Sequence, residues 1–180
     1  MINISNLTAP VIAATVEPSD NIFKELGKNT YDLKDLISEL IDNSIAARQR
    51  GVLLKVDIEL YVDENNKPIK FIIRDNAKGI LLENFGVAIC PAGIVGGNSL
   101  NEHGLGMKQA VAALGDLSYL ATKTKGEEQA RVIKEFKYGN LPIYRCTVSF
   151  ECGTEICVEN IRPIVTTSST SITRSLVPHL

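Results

Sequence analysis

The spacing of apolar residues predicts a long amphipathic helix in the first third of the chain. In "TYDLKDLISELIDNSIAARQRG", which begins at Thr30, the apolar residues recur three and four positions apart, the period of one helical face. These apolar residues are Leu33, Leu36, Ile37, Leu40, Ile41 and Ile45. Thr30 is the predicted N-cap, Gly51 the predicted stop, and Arg48 and Arg50 suit the negative end of the helix dipole. A shorter helix is predicted just upstream, in "PSDNIFKELGKN", with a cap at Ser19 or Asp20 and an end at Gly27.

A strict alternation of apolar and polar residues follows the long helix. In "KVDIELYVD" every second residue is apolar, which predicts a half-buried antiparallel strand. "ENNKP" is typical of a turn, and "IKFIIRD" predicts the returning strand of a hairpin. The hairpin therefore ends in "RDNAKGI", Arg74 to Ile80, which places an aspartate and a glycine at the end of a strand.

The second half of the chain alternates between broken and regular patterns. Leu81–His103 is rich in glycine and proline and predicts a long loop that begins with a short helix; loops of this length are usually functional or mobile. "GLGMKQAVAALG" predicts a helix that ends at Gly115, and three strand-like runs follow: "LSYLATKT", "ARVIKEFKY" and "IYRCTVSFECGTEICVENI", the last divided near Glu151–Gly153. This order predicts an α+β sandwich with helices on one face of a mixed, mostly antiparallel sheet.

Composition narrows the class of protein. The chain has 180 residues, 44% hydrophobic and 22% charged, as expected of one globular domain. A net charge of −2 lacks the basic footprint of a nucleic-acid-binding surface. The four cysteines form no CxxC pair and only two histidines are present, so we expect reduced thiols and no zinc site. With no signal peptide pattern and no apolar run of about 20 residues, we expect no membrane segment and a location in the cytoplasm, or in the nucleus of a eukaryote.

Polar residues interrupt the apolar stripe of the long helix. Glu39 and Asn43 are four residues apart and share one face, with Asp42 beside them. One interpretation is a solvated helix face. The other is a site in which a carboxylate deprotonates water and an amide oxygen coordinates Mg²⁺, an ion that keeps several waters and takes its other oxygens from phosphates.

Two further clusters suggest ligand contacts. "NEHGLGMK" places glycines before a helix, where N–H groups and the helix dipole bind anions, and Lys108 adds a positive charge; it is neither a Rossmann fingerprint nor a P-loop. Asp75 either closes an ordinary turn or accepts a hydrogen bond from an exocyclic amine such as adenine N6, with Gly79 letting the base approach the backbone. Thr154 in "GTEI" is either a plain strand residue after a bulge or a ligand hydroxyl.

Taken in this order, the four clusters resemble the motifs of the GHKL ATPases, the superfamily of DNA gyrase B, the heat-shock chaperones, histidine kinases and MutL. "ELIDNSIAA" resembles the N box, "DNAKGI" the D-x-G-x-G box, "HGLGMKQA" the second glycine box and "GTEICVEN" the G-T strand. "ELIDNS" and "GLGMK" are closest to MORC and MutL proteins. The resemblance implies a Bergerat-type two-layer α/β sandwich that binds ATP and Mg²⁺.

The resemblance also implies a role for individual residues. Glu39 would be the general base, and Asn43 would coordinate Mg²⁺. Asp75 would bind the adenine amine. The remaining nucleotide contacts would be Gly79, Ile80 and Thr154 near the base, and Gly104, Leu105, Gly106, Met107 and Lys108 near the phosphates. Leu81–His103 would be the ATP lid.

Two positions depart from the family pattern. Ala77 replaces the first glycine of the adenine box, which is tolerable if its φ is negative. Ala46 stands where many hydrolysing relatives carry aspartate, which implies weaker binding or altered hydrolysis. Glu39 itself favours hydrolysis, because the kinase branch typically has asparagine there.

The domain organisation is expected to extend past this chain. We expect residues 1–165 to form the ATP-binding domain and residues 166–180 to be a linker or the start of a following domain. Several relatives supply a γ-phosphate lysine from that domain, so hydrolysis by this piece alone should be slow. The leading hypothesis is an ATPase whose lid closure drives homodimerisation, with nucleic acid as a partner of other domains. The alternatives are a non-hydrolysing ATP-binding scaffold and, less favoured, a histidine kinase domain.

Overall fold

The structure, a computed structural model, describes residues 19–28, 32–90 and 105–163. Its helices are α1 (Asn21–Glu25), followed by a 3₁₀ turn (Leu26–Lys28), α2 (Leu33–Ala46), α3 (Leu82–Ile89) and α4 (Gly106–Leu114). Its strands are β1 (Val56–Val62), β2 (Pro68–Asp75), β3 (Asp116–Lys123), β4 (Ala130–Ile133), β5 (Tyr144–Cys146) and β6 (Gly153–Glu159). Thr30, Gly104, residues 91–103 and the predicted linker at 166–180 lie outside the described residues.

The six described strands form one sheet in the order β1-β2-β6-β3-β4-β5. All five pairings between them are antiparallel, which confirms the predicted α+β two-layer sandwich and leaves no parallel pair among the described strands. The predicted β1–β2 hairpin forms because Asp63 Oδ1 accepts hydrogen bonds from the backbone N–H groups of Asn65 and Lys67 (2.9 and 2.8 Å) and so closes the turn. The last strand in the sequence, β6, lies between β2 and β3 near the centre of the sheet.

The core lies between the helices and one face of the sheet. Alternate residues of β2 and β6 point inward, so that Phe71 pairs with Val158 and Ile73 with Ile156. With buried residues of α2 and α4 these side chains form one hydrophobic cluster. Burial of each large side chain contributes roughly 1.5–3 kcal/mol, so this cluster holds the two layers together.

The opposite face of the sheet is polar. Glu155 accepts hydrogen bonds from Arg74 Nε (2.6 Å) and from the Tyr119 hydroxyl (2.7 Å). Burial, followed by its own hydrogen bond to the negatively charged Glu155, raises the pKa of Tyr119 well above its usual value. An ion-paired face of this kind is suited to water, in keeping with a helical layer on one side only.

Helix α2 is shorter than the sequence predicts at both ends. Its N-cap is Asp32, whose side chain accepts from Asp35 N, so the prediction of Thr30 was wrong. It ends at Ala46 rather than near Gly51, because the Ala47 carbonyl accepts a hydrogen bond from Lys78 N (3.0 Å) and not from a further helical turn. A tertiary contact therefore ends the helix where local sequence would allow it to continue.

Two further predictions needed adjustment, and a third, the short helix at the start of the predicted lid, is confirmed. Ile58 and Val62 are 37% and 40% exposed because β1 lies at the edge of the sheet, whereas Val56 and Leu60 of the same strand pack against the core. Helix α1 ends at Glu25, before the predicted stop at Gly27, and Gly27 lies within the 3₁₀ turn that follows. The predicted lid begins with α3, whose Phe85 and Ile89 are buried in the core, so its first part is anchored to the domain.

None of the helices in the described parts of the chain has both the length and the apolar character that crossing a bilayer requires.

Candidate active site

A cavity of about 450 Å³ lies between the helical layer and the inner face of the sheet. Eight of the predicted site residues line it: Asn43, Asp75, Gly79, Ile80, Gly106, Met107, Lys108 and Thr154. Its other lining residues are Leu40, Ser44, Ala46, Ala47, Ile73, Lys78, Leu81, Asn84, Ala88, Thr124 and Ile156. Small-molecule sites are typically about 300–1,000 Å³ and mostly apolar with a few polar groups, so this cavity has the size and character of a cofactor site.

Helix α2 presents an amide to the cavity in a defined orientation. Asn43 Nδ2 donates to the Glu39 carbonyl one turn earlier (2.5 Å). This bond uses one of the two N–H donors of the amide and orients the side chain, and the acceptor atom Oδ1 can serve a ligand or a cation.

Glu39 lies beside the cavity rather than in its lining. Its carboxylate lies against Gly106, the first residue of α4, so closely that a Cβ on residue 106 would collide with Glu39 Oε2. Partial burial, followed by the negative charges of Asp42 and Asp35, raises the pKa of Glu39 above its usual range. A raised pKa brings a carboxylate closer to the basicity that proton abstraction from water requires.

Asp75 is fixed at the end of β2 by three hydrogen bonds. Its Oδ1 accepts from Ala77 N (2.9 Å) and Thr154 N (3.1 Å), and its Oδ2 accepts from Ser44 Oγ (3.0 Å). Burial raises the pKa of this carboxyl, and the three bonds oppose that rise. Since a carboxylate offers about four lone-pair positions, three bonds orient the group and leave capacity for one more donor.

The loop after Asp75 requires its glycine. Gly79 has a φ of +71°, and a Cβ there would collide with the Lys123 carbonyl. Among the described non-glycine residues only Asn66 and Asn160 have positive φ, so Ala77 has negative φ and its methyl group is tolerated. The departure at Ala77 therefore leaves the backbone of this loop undisturbed.

The start of β6 approaches Asp75 just as closely. Gly153 has a φ of +128°, and a Cβ there would collide with the Asp75 carbonyl. This approach brings Thr154 N to Asp75, and it places the Thr154 hydroxyl 3.1 Å from that of Thr122. Thr154 is therefore both a cavity residue and a partner of the strand-end carboxylate.

The N-terminus of α4 forms another part of the cavity wall. Gly106 and Met107 are the first residues of this helix, and Leu105 is its N-cap. Leu105 does not line the cavity, but its backbone carbonyl accepts a hydrogen bond from Gln109 N (2.9 Å). Lys108 is 3% exposed, and burial lowers its pKa to about 8. A buried lysine at a helix N-terminus is a strong anion-binding combination, because desolvation increases the attraction of an opposite charge.

Several residues of the site had no signal that sequence reasoning detected. Ser44 is buried and donates to Asp75. Its position four residues after Leu40, on the apolar face of the helix, is a signal that could have identified it. Thr122 is fully buried and accepts from Ile80 N (2.8 Å), but a threonine in a β-strand is ordinary in sequence. Arg131, in a short strand, donates to the Ile80 carbonyl across 51 positions of sequence.

Within the described residues, no group of three or more histidine, cysteine, aspartate and glutamate side chains could hold a metal ion by itself. A cation at Asn43 would therefore need oxygens from a ligand. This fits Mg²⁺, which usually takes one or two protein ligands and completes its shell with waters and phosphates.

Comparison with known proteins gives one family match. Residues 31–140, more than half of the chain, match the model of the family described as "Histidine kinase-, DNA gyrase B-, and HSP90-like ATPase". The matched span contains every cavity residue except Thr154 and Ile156. No curated protein matches the chain.

Proposed function

Because the chain belongs to the histidine kinase-, DNA gyrase B- and HSP90-like ATPase family, we propose that its cavity binds Mg-ATP and that Glu39 promotes hydrolysis of the bound nucleotide. One observation supports this most strongly. A single cavity is lined by the hydrogen-bonded carboxylate of Asp75 and by the N-terminus of α4 with Lys108. The carboxylate is the acceptor that a purine amine requires, and the helix N-terminus with its lysine supplies the N–H donors and positive charge that a polyphosphate requires.

The base would lie at the β2 side of the cavity. Asp75 can accept one more hydrogen bond, and the N6 amine of adenine is a suitable donor. Gly79 and Ile80 follow on the loop, and apolar contacts from Ile73 and Ile156 suit the faces of a flat ring. A guanine would place its O6 acceptor against the carboxylate, so this end favours adenine.

The phosphates would lie at the α4 side. Gly106 and Met107 contribute backbone N–H groups, and Lys108 contributes a buried positive charge. Asn43 would hold Mg²⁺ through Oδ1 together with phosphate oxygens and water. When bound, Mg²⁺ neutralises charge on the phosphates and helps to order them for attack.

Glu39 would accept a proton from the attacking water. It lies beside Gly106, the residue that begins the phosphate-binding helix, and its raised pKa suits this role. The proton would pass to a Glu39 carboxylate oxygen as the water oxygen bonds to the γ-phosphorus and the bond to the β-phosphate oxygen breaks.

A non-hydrolysing scaffold is the second candidate. Ala46 lines the cavity with a methyl group where an acidic side chain is usual in hydrolysing relatives, and Glu39 lies outside the lining. In this alternative ATP would be held as a structural ligand.

The proposal extends to a longer protein that is similar to MORC and MutL ATPases. Residues 1–165 would be the ATP-binding domain, with residues 166–180 leading into a following domain. Closure of the Leu81–His103 lid over ATP would drive homodimerisation, and other domains would contact any nucleic acid. We place this protein in the cytoplasm, or in the nucleus of a eukaryote.

The decisive experiment measures ATP affinity and turnover in the full-length protein with Mg²⁺, for the wild type and for Glu39→Gln. We expect similar affinities and a turnover about 10²-fold or more lower in the variant, the usual effect of removing a general base. Glu64→Gln, the same change at an exposed residue of the β1–β2 turn, is the matched control and should leave turnover unchanged. ATP binding without turnover in the wild type would favour the scaffold, and no binding would reject both candidates.

A further inference from the structure

The loop that borders the proposed base site is held by two residues that lie opposite each other on neighbouring strands. Thr122 of β3 and Arg131 of β4 are cross-strand partners. Thr122 Oγ1 accepts a hydrogen bond from Ile80 N (2.8 Å), and Arg131 Nη2 donates one to Ile80 O (2.6 Å). Both backbone polar groups of Ile80 are therefore fixed by the sheet.

Arg131 is itself held in place by an acidic partner. Its side chain is 4% exposed and its Nη1 donates to Glu127 Oε1 (2.5 Å). The Nε of Arg131 is buried with no hydrogen-bond partner in the described part of the protein. A guanidinium so buried is costly unless it is paired, so its position depends on Glu127 and on the Ile80 carbonyl.

Glu127 connects this pair to a second wall of the cavity. Its Oε2 accepts hydrogen bonds from both the backbone N–H (2.8 Å) and the hydroxyl (2.7 Å) of Thr124. Thr124 and Ile80 both line the cavity, one after β3 and one after β2. One ion pair is thus hydrogen-bonded to two lining segments that are far apart in sequence.

We propose that Arg131, supported by Glu127, is a positioning residue that fixes the Ile80 and Thr124 walls around the base and so sets the preference of the site for adenine over guanine. This inference rests on the proposed function, because it concerns the base end of the same nucleotide site. Arg131 is neither a cavity-lining residue nor a phosphate contact; it acts through the Ile80 carbonyl and through Glu127.

The position of Arg131 separates its effect from that of Lys108. Loss of Lys108 removes a charge at the phosphate end, so it should weaken ATP binding and leave adenosine binding unchanged. Loss of Arg131 loosens the base end, so it should weaken adenosine and ATP by the same factor. A general loss of folding stability would lower the apparent affinity for ATP and GTP alike and would not change their ratio.

The test measures binding of ATP, GTP and adenosine to the full chain, for the wild type, Arg131→Met, Glu127→Gln and Lys108→Met. For Arg131→Met we expect ATP and adenosine to bind about tenfold more weakly, the loss typical of one charge-assisted hydrogen bond, and the ATP:GTP affinity ratio to fall about fivefold. Glu127→Gln should also lower the ATP:GTP affinity ratio. If Arg131→Met does not fold, the result for Glu127→Gln tests the positioning role. Lys70→Met, which breaks the Lys70–Glu159 pair (3.1 Å), is the control and should leave the ratio unchanged.

The outcomes separate the two proposals. If folded Arg131→Met and Glu127→Gln keep the wild-type ATP:GTP ratio and adenosine affinity, the positioning role is rejected while the nucleotide site stands. If the wild type binds ATP but does not discriminate against GTP, the positioning role is likewise rejected. If the wild type binds neither nucleotide, the proposed function fails and this inference fails with it.

Discussion

The carboxylate of Glu39 and the backbone of Gly106 are in direct contact, at the point where α2 meets the N-terminus of α4. This contact places the only predicted base beside the helix end that is proposed to hold phosphate. It also explains the glycine at position 106: any larger residue would displace the carboxylate.

Gly106→Ala should therefore lower turnover more than it lowers stability. The colliding atom is the end of a flexible side chain, so Glu39 can swing aside and the unfolding free energy should change by less than about 1 kcal/mol. Turnover should fall at least about tenfold because the displaced carboxylate no longer reaches the attacking water. Steady-state kinetics and urea unfolding provide the two measurements.

A double mutant tests whether the Gly106 effect acts through Glu39. In a Glu39→Gln background, which already lacks the base, Gly106→Ala should cause little further loss of turnover. Fully additive losses would show that the glycine matters for another reason, such as the approach of a phosphate to the backbone.

Lys108 predicts an unusual dependence on pH. Its pKa is about 8 in the folded protein and about 10.5 when unfolded. Between these values the unfolded chain binds more protons, so stability should rise as the pH rises from about 8 to 10.5, by up to about 3 kcal/mol from this residue. Lys108→Met should remove this rise, as measured by urea unfolding across that pH range.

The same lysine links ATP binding to proton uptake. Phosphate near Lys108 favours its charged form, so near pH 8 binding should take up about half a proton, and ATP affinity should fall as the pH rises further. Calorimetry in buffers of different ionisation enthalpy measures the uptake. An affinity that is flat above pH 8 would contradict a phosphate contact by Lys108.

Gly79→Ala should be strongly destabilising. The new Cβ would meet the Lys123 carbonyl, which is backbone and has little room to move, at a φ of +71°. We expect the free energy of unfolding to fall by about 3 kcal/mol or more, and we expect ATP binding to be lost as well. Gly126→Ala is the matched control: its φ is +89° but nothing lies within 4 Å, so it should cost only about 1 kcal/mol of backbone strain.

Asp75→Asn should separate stability from binding. The asparagine Oδ1 can keep the bonds from Ala77 N and Thr154 N, and the change removes the negative charge whose burial raises the pKa of Asp75. At neutral pH the unfolding free energy should therefore stay within about 1 kcal/mol of wild type or increase, while ATP affinity falls at least about tenfold because the amide no longer presents a carboxylate to adenine. Asp75→Ala, which leaves both N–H groups unpaired, should instead destabilise by about 2–4 kcal/mol.

Local patterns predicted the elements whose residues are near one another in sequence. The β1–β2 hairpin, α4 and its end at Gly115, and the position of Asp75 at a strand end all follow from periodicity and turn residues. The end of α2 could not be predicted in this way, because it depends on a hydrogen bond from Lys78 N to the Ala47 carbonyl. A helix boundary set by a distant loop has no local signature.

The residues that hold the site in place could not be predicted from local sequence patterns either. Thr122 and Arg131 are unremarkable strand residues until β3 and β4 pair and both side chains reach Ile80. Likewise, Gly153 is recognised as necessary only when its strand lies against the Asp75 carbonyl. The sequence could suggest the groups that meet a ligand, but the groups that hold those residues in place emerge only from the strand order.

That order has a consequence for synthesis of the protein. β6 joins β2 to β3, yet it is the last of the described strands to leave the ribosome. Until Gly153–Glu159 emerges, the hairpin carrying Asp75 and the strands carrying Thr122 and Arg131 have no shared partner. A nascent chain that is halted before residue 153 should therefore remain open to proteases and chaperones, and only the emergence of β6 would close the sheet and create the pocket.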